Sequence, residues 1–234
     1  MSRDRPDGSP DDREQRSLAG RGLLVTPVLV LGFLLVLVAS NDAVALVARG
    51  DQVLAAALEP LLAIDGAVVD VVLAVRGPLV TKVMTSATGL GSAFAALVFV
   101  GLSFLAGWTR AARVAAVALL LSGVVVVSLM ALVQRPFPPR PVCMVDEPGL
   151  AAHSFPSGHA AAVTVYALVA RDAPDLPTGV VAGVAALVAV SRIYLGTHYL
   201  SDTVVGVAIG IGAVLVARRL LDIDSVRERV ERLT

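Results

Sequence analysis

Long runs of apolar residues, separated by short polar breaks, dominate the chain after its first 20 residues. They predict membrane-spanning helices near residues 22–40, 87–107, 112–133, 158–171, 178–195 and 199–219. Most of these runs have the roughly 20 apolar residues that a helix needs to cross a bilayer, although the fourth run is short. The pattern therefore predicts an all-α fold, a polytopic membrane helical bundle with about six transmembrane helices.

Residues 41–86 have a different pattern from the runs around them. Acidic side chains such as Asp51, Asp65 and Asp70 are scattered among Val, Ala and Leu. Amphipathic helices that lie at the membrane surface fit such a mixture better than a further span does. We therefore predict an interfacial helical segment after the first transmembrane helix.

The two ends of the chain are polar and flank the membrane domain predicted at residues 21–219. Residues 1–20 are charged and contain Pro and Gly, a composition typical of a disordered tail. The first apolar run lacks a small-residue cleavage site and is longer than the core of a signal peptide, so we expect it to be retained as a span. Residues 220–234 form a charged tail, for which a short cytoplasmic helix is predicted.

Composition supports a lipid environment and excludes some classes of partner. The chain is 56% hydrophobic and only 16% charged, against about 25% charged in an average soluble domain. Its net charge is zero, and no basic groove with interleaved aromatic residues is visible, so nucleic acid is not an expected partner. The single cysteine has no partner for a disulfide or a metal site.

The distribution of basic residues predicts the orientation in the membrane. With six spans and a cytoplasmic N-terminus, thirteen of the 19 Lys and Arg residues lie on the cytoplasmic side, as the positive-inside rule requires. The loop at 134–157 and the turn at 191–199 then share the outer face. We expect a multi-pass protein of the cell membrane with these two segments on the extracytoplasmic face.

The first polar island with candidate chemistry begins just before the fourth apolar run. Pro156 and Gly158 bracket a sharp turn, and Ser157 is a suitable cap for a helix that starts there. The N–H groups and the dipole at such a start favour an anion such as phosphate. His159 would project into the same space, although a capped helix start with an incidental histidine is the alternative.

The second island lies between the last two apolar runs. His198 and Asp202 are four residues apart and are predicted to share one face of a helix. An aspartate that accepts from one imidazole nitrogen leaves the other nitrogen free to attack. Arg192 offers a planar fork of donors to phosphate oxygens. The alternative is an interfacial arginine with a structural His–Asp pair, but two such islands on one face favour a shared phosphate site.

The two islands resemble motifs of the type 2 phosphatidic-acid phosphatase and vanadium haloperoxidase superfamily, in its membrane lipid-phosphatase branch. The second family motif, Pro-Ser-Gly-His, is matched at residues 156–159. The third motif is Ser-Arg, five residues, His, three residues, Asp. It is matched by Ser191, Arg192, His198 and Asp202. The likeness covers roughly residues 80–215.

The resemblance implies a role for each residue of the site. His198 would attack phosphorus and form a phosphohistidine, with Asp202 orienting it. His159 would protonate the leaving oxygen. Phosphoryl oxygens would be bound by Arg192, the Ser157 hydroxyl and the Gly158 amide. Arg135 is a further candidate for binding the substrate. The family's chemistry needs no metal and no cofactor.

The first family motif, Lys, six residues, then Arg-Pro, is the part that this chain does not match. Taking Arg135-Pro136 as the Arg-Pro places Ser128 in the lysine position, and taking Arg140-Pro141 places Val133 there. A third register places Phe137 at the arginine and Met130 at the lysine. The lysine is absent in every register, and the only lysine of the chain is Lys82. Arg135 or Arg140 is left to replace the cationic clamp.

The residues and the resemblance favour a membrane phosphatase that hydrolyses a phosphomonoester or diphosphate of a polyprenyl lipid or glycerolipid. The alternatives are a lipid-linked phosphotransferase and a non-catalytic membrane protein that binds lipid phosphates. The expected partners are the lipid phosphate substrate and membrane lipids. A soluble vanadate peroxidase is disfavoured by the apolar spans.

Overall fold

The computed structural model describes residues 51–142, 153–173 and 175–231, without the side chains of residues 51–60 and 223–231. All regular structure in these ranges is helical, as predicted. The helices are α1 (Asp51–Val75), α2 (Pro78–Thr88), α3 (Ala93–Leu105), α4 (Thr109–Val133), α5 (Gly158–Val169), α6 (Thr178–Tyr194) and α7 (Leu200–Glu231). Short 3-10 turns lie at Gly89–Gly91 and Ala170–Asp172.

Local sequence accounts for several of the helix ends. Pro78 occupies the first turn of α2. An N–H at this position would have no acceptor within the helix, so its absence in proline costs no hydrogen bond. Ser92 caps α3 by accepting a hydrogen bond from the Ala95 N–H at 3.2 Å. At the end of α4, Gln134 adopts the left-handed conformation with φ of 47°. The helix stops there, two residues before Pro136.

Helix α5 lies at the centre of the described bundle and packs against α4, α6 and α7. Most of its buried side chains are small or β-branched, among them Ala160, Ala161, Val163 and Val165. Small side chains at a helix interface let the backbones approach closely, which is how helices associate where lipid removes the hydrophobic driving force. The central position of α5 places its N-terminal motif against the start of α7.

Two glycines on α7 allow its close contact with α5. A methyl group at Gly206 would collide with the Ser157 carbonyl oxygen, and one at Gly210 would lie 2.6 Å from the Ala161 carbonyl oxygen. Gly206 and Gly210 are four residues apart and therefore lie on the same side of α7. Only glycine permits this approach, because neither backbone carbonyl can move without shifting α5.

We expect Gly206→Ala to lower stability by about 1–3 kcal/mol, the usual cost of overpacking a close interface. The matched control is Gly212→Ala on the same helix, where a methyl group meets nothing within 4 Å. The control should be neutral or slightly stabilising, because alanine is the better helix former. Thermal unfolding of the two variants in detergent tests this, and equal midpoints for both would contradict the packing argument.

Two described helices are long and apolar enough to cross a bilayer, Thr109–Val133 and Leu200–Asp222. The segments Pro78–Gly91 and Ala93–Leu105 together would make a third, but they are bent by 58° at the break between them. Helix α6 is apolar but shorter, with 17 residues. The described residues therefore support a membrane protein and do not confirm the predicted count of six spans.

Several predicted boundaries differ from the observed ones. The span predicted at 87–107 is not one straight helix, because α2 and α3 are separated by the turn at Gly89–Gly91. The predicted span at 158–171 contains an α-helix of only 12 residues. Helix α7 continues without interruption to Glu231, where a span ending near 219 and a separate short helix were predicted. The first predicted span and the tail at 1–20 lie outside the described residues.

Candidate active site

His198 lies in the turn between α6 and α7, two residues before α7 begins at Leu200. The prediction that His198 and Asp202 share a helix face is therefore wrong, because His198 is outside the helix. The turn is compact because Gly196 adopts a φ of 69°, a left-handed conformation that glycine tolerates. The Arg192 carbonyl accepts hydrogen bonds from the backbone N–H groups of both Thr197 and His198. These bonds fix the backbone of the turn, and His198 is 4% exposed.

The two ring nitrogens of His198 have different surroundings. Nδ1 contacts the carbonyl oxygen of Ser154, and Nε2 lies 3.5 Å from Nη2 of Arg192. A carbonyl oxygen only accepts, so Nδ1 carries the hydrogen and Nε2 carries the lone pair. Burial lowers the pKa of His198 to about 3, and the Arg192 guanidinium acts in the same direction. The imidazole is therefore neutral at pH 7, the state that a nucleophile needs.

Arg192 is buried in the last turn of α6 and links the two histidine motifs. Its Nη1 donates to the Thr88 hydroxyl at 2.8 Å, at the end of α2. Its charge interacts with the imidazoles of both His159 and His198, and those imidazoles also interact with each other. The structure thus brings together the three side chains that the sequence predicted for phosphate chemistry.

The first motif is a capped helix start, as predicted. Ser157 is fully buried, and its hydroxyl accepts from the Ala160 N–H at 3.4 Å. The Ser157 N–H donates to the Asp202 carbonyl at 3.1 Å, which joins this motif to the start of α7. Gly158 is the first residue of α5, so its amide belongs to the positive end of the helix dipole. His159 follows it and is half-buried.

The ring of His159 lies against Gly91, a residue that the sequence did not indicate as part of the site. A methyl group at Gly91 would lie 2.8 Å from Cδ2 of His159 and 3.0 Å from Cγ1 of Val188. Gly91 is buried in the turn between α2 and α3. The break in this helix pair therefore gives the His159 ring its space.

Gly91→Ala should reduce kcat about ten- to a hundred-fold, because the added methyl group displaces His159 and misplacement of about 1 Å costs that much in rate. Gly89→Ala is the matched control, since nothing lies within 4 Å of a methyl group there. Initial rates of phosphate release from a lipid phosphate provide the measurement. Equal rates for the two variants would show that His159 does not depend on this contact.

Asp202 and Arg135 form an ion pair beside the turn that carries His198. The Asp202 carboxylate accepts from Nη1 of Arg135 at 2.5 Å and from the Tyr199 N–H at 2.8 Å. Nδ1 of His198 contacts the Ser154 carbonyl oxygen. Orientation of His198 by the Asp202 carboxylate stays a prediction, as does phosphate binding by Arg135.

The other arginine considered for the cationic clamp, Arg140, has an exposed side chain and a φ of 56°. Its carbonyl oxygen accepts from Nη1 of Arg76 at 2.7 Å, while Nη2 of Arg76 donates to the Tyr194 carbonyl at 2.7 Å. Arg76 therefore fastens the loop after α4 to the end of α6. Lys82, the only lysine, is exposed on α2.

Sequence reasoning missed four residues that contact the predicted site: Asp65, Thr88, Gly91 and Ser154. An acidic residue inside an apolar helix is costly to keep, so Asp65 carried a usable signal. The other three act through a hydroxyl, a missing side chain and a backbone carbonyl, for which no motif exists in one sequence. Within the described ranges, no group of three or more His, Cys, Asp or Glu residues has a geometry suited to a metal.

The part of the chain that carries both histidine motifs is similar to a known protein family. The model of the PAP2 superfamily matches residues 111–223, a range that includes both histidine motifs. A decaprenylphosphoryl-5-phosphoribose phosphatase of Mycobacterium tuberculosis is 41% identical over 93 residues. The match covers 39% of this chain, which spans about half (51%) of the length of that relative.

Two crystal structures have a similar fold. The first is the transmembrane PAP2 type phosphatidylglycerolphosphate phosphatase of Bacillus subtilis, with a TM-score of 0.59 and 22% identity over 85% of this chain and 96% of the other. The second is LpxE of Aquifex aeolicus, with a TM-score of 0.54 and 26% identity over 64% of this chain and 92% of the other. The resemblance that the two motifs carry is thus found independently in the fold.

Proposed function

We propose that this chain is a membrane phosphatase acting on lipid phosphates through a phosphohistidine at His198, because the model of the PAP2 superfamily matches residues 111–223. The observation that carries the proposal is the approach of Arg192 to His198, with 3.5 Å between Nη2 and Nε2. The hydrogen bond from the Ser157 N–H to the Asp202 carbonyl joins the motif of His159 to the same region. A neutral nucleophile, a second imidazole as general acid and a cationic fork are together able to carry out phosphoryl transfer without a metal.

The first half of the proposed reaction transfers the phosphoryl group to the protein. The lone pair of His198 Nε2 attacks phosphorus, and a nitrogen–phosphorus bond forms as the bond to the lipid oxygen breaks. His159 takes up a proton when the anionic phosphate binds beside it, and it gives that proton to the leaving oxygen. The hydrogen of His198 stays on Nδ1, where it is donated to the Ser154 carbonyl oxygen. Arg192, the Gly158 amide and the Ser157 hydroxyl stabilise the charge that develops on the phosphoryl oxygens.

The second half returns the protein to its starting state. A water molecule attacks phosphorus and passes a proton to His159, which is now neutral. The nitrogen–phosphorus bond breaks, and its electron pair returns to Nε2 of His198. Inorganic phosphate then leaves. If a lipid or sugar hydroxyl took the place of water, the same steps would make the chain a phosphotransferase.

The substrate class that we propose is a polyprenyl-linked phosphate. The support is the 41% identity with a phosphatase whose substrate is decaprenylphosphoryl-5-phosphoribose. Polyprenyl diphosphates and glycerolipid phosphates are the other candidates. Apolar side chains such as Leu97, Leu102 and Leu105 are exposed on α3, so a lipid chain can lie against the helices while its head group meets the histidines. We place the site on the extracytoplasmic face, where the excess of cytoplasmic arginines would put both motifs.

The test is release of inorganic phosphate by the full chain purified in detergent. The substrates are a polyprenyl monophosphate, a polyprenyl diphosphate, a polyprenyl-phosphoryl sugar phosphate, phosphatidic acid and phosphatidylglycerol phosphate. Release that depends on His198 supports the proposal, and transfer to an added hydroxyl acceptor identifies a transferase. Saturable binding of these lipids with no turnover on any of them would replace the enzyme with a lipid-phosphate-binding protein.

A further inference from the structure

We propose that Arg135 is a positioning residue. Its ion pair with Asp65 holds the guanidinium beside the turn that carries His198, so that it does not bind the substrate phosphate. This inference rests on the proposed function, because the turn carries the proposed nucleophile His198. It assigns a role to Asp65, which no motif includes, and gives Arg135 a role other than the phosphate binding for which it was a candidate. The arguments are the contacts of the guanidinium, the charge around it and the connection to His198.

The Arg135 guanidinium is already held by three oxygen acceptors. Nη2 donates to Oδ2 of Asp65 at 2.8 Å. Nη1 donates to Oδ1 of Asp202 at 2.5 Å and to the Ser201 hydroxyl at 2.8 Å. The Tyr199 ring lies under the guanidinium, 3.9 Å from Cζ to the ring centroid. Turning Arg135 toward a phosphate would remove the cation from two buried carboxylates, which is strongly unfavourable.

The local charge also argues against phosphate binding by Arg135. One guanidinium stands between Asp65 and Asp202, whose side chains are 2% and 0% exposed. With both carboxylates ionised, this group of three carries a net negative charge and repels a phosphate anion at short range. Arg192 instead lies beside Nε2 of His198, the atom that attacks phosphorus.

Asp65 ties α1 to the start of α7. It is 1% exposed, and no other residue of α1 between 61 and 75 is buried. Oδ1 accepts from the Ser201 N–H at 2.9 Å, and Oδ2 accepts from the Ser201 hydroxyl at 2.5 Å. Since Asp202 accepts from the Tyr199 N–H, the two carboxylates together satisfy orphan N–H groups at the beginning of α7.

Arg135 reaches His198 from two sides. Its side chain fixes the start of α7 through Asp202 and Ser201, directly after the His198 turn. Its backbone carbonyl accepts from the Ser154 N–H at 2.8 Å, and the Ser154 carbonyl is the partner of His198 Nδ1. A shift of Arg135 would therefore move both the backbone that carries the imidazole and the oxygen that orients it.

The experiment separates positioning from phosphate binding through kcat, KM and inhibition by orthovanadate, an analogue of the phosphoryl group. Asp65→Asn and Arg135→Gln should each lower kcat about ten- to a hundred-fold, as expected for a displaced nucleophile. KM and the inhibition constant of vanadate should stay within about threefold of wild type. Asp70→Asn on the same helix and Arg219→Gln on α7, both at exposed positions, are the matched controls and should be unchanged.

Arg135→Lys adds a variant that keeps the charge. A lysine cannot bridge Asp65 and Asp202 in the way a guanidinium does, but it remains a good phosphate ligand. Positioning therefore predicts that Arg135→Lys loses as much kcat as Arg135→Gln. The proposal is overturned if Arg135→Gln weakens vanadate inhibition tenfold or more and Arg135→Lys restores it, or if Asp65→Asn leaves kcat unchanged.

Failure of the proposed function would be seen separately, as a wild-type protein that hydrolyses none of the lipid phosphates. The positioning role is then tested by the ring ¹⁵N signals of His198 in uniformly labelled protein. Asp65→Asn should shift these signals and Asp70→Asn should not, in samples with matching size-exclusion profiles. Unshifted His198 signals in Asp65→Asn would overturn the proposal whether or not the protein is an enzyme.

Discussion

Replacing His198 with glutamine should reduce kcat for phosphate release by on the order of 10⁴-fold or more, the scale on which enzymes lose their nucleophile. Glutamine is close to histidine in size, and its amide can still donate to the Ser154 carbonyl, so the fold should persist. What it lacks is a lone pair able to form a bond to phosphorus. The measurement is the initial rate of phosphate release at saturating lipid phosphate.

The control for this variant is His153→Gln, which removes a half-buried histidine in the loop before the first motif. It should retain wild-type kcat. A second measurement traps the intermediate: brief reaction with ³²P-labelled substrate should label the wild type through an acid-labile, base-stable bond and leave His198→Gln unlabelled. Turnover by His198→Gln within tenfold of wild type would rule out the phosphohistidine mechanism.

Arg192→Lys should lower kcat/KM by about a hundred- to a thousand-fold, as for loss of a donor that acts on the transition state. Lysine keeps the charge but loses the planar fork, which in the structure reaches Thr88 with one nitrogen and the His198 ring with the other. The inhibition constant of orthovanadate should rise as well, because we propose Arg192 as the main cationic ligand of the phosphoryl group.

The matched control is Arg113→Lys, an exposed arginine on α4 whose Nε donates only to the Thr109 carbonyl within its own helix among the bonds that the structure describes. Its kcat/KM should match that of the wild type. If Arg192→Lys loses activity but binds vanadate as tightly as the wild type, Arg192 orients His198 and does not bind phosphate. The phosphate ligand would then have to be sought among the amides at the start of α5.

The two histidine motifs were visible in the sequence because their chemistry depends on side-chain types at short, fixed spacings. Ser157 predicts the start of α5, and the hydrogen-bonded cap confirms it. The glycine and proline content of residues 134–157 predicted a loop, and the described parts of that segment are not helical. Apolar runs predicted α4 and α6 to within a few residues, because a helix that contacts lipid is apolar along most of its length.

Errors arose where a contact distant in sequence overrides the local pattern. Residues 87–107 read as one apolar span, yet the helix breaks at Gly89–Gly91, where Gly91 packs on His159. Asp65 was one of several acidic residues in the predicted surface segment, and nothing in that segment indicates that Arg135, 70 residues later, is its partner. Hydropathy averages over a window and has no information on such a partner.

Taken by itself, the sequence determined that the chain is helical, apolar enough for a membrane and equipped with His159, Arg192, His198 and Asp202 at the spacing of a known family. The tertiary structure decided which of these side chains meet, and it placed Arg135 between Asp65 and Asp202. The physical reason is that a charged side chain is fixed by its nearest counter-charges. Three of the contacts that decide the role of Arg135 come from residues 66 to 70 positions away along the chain.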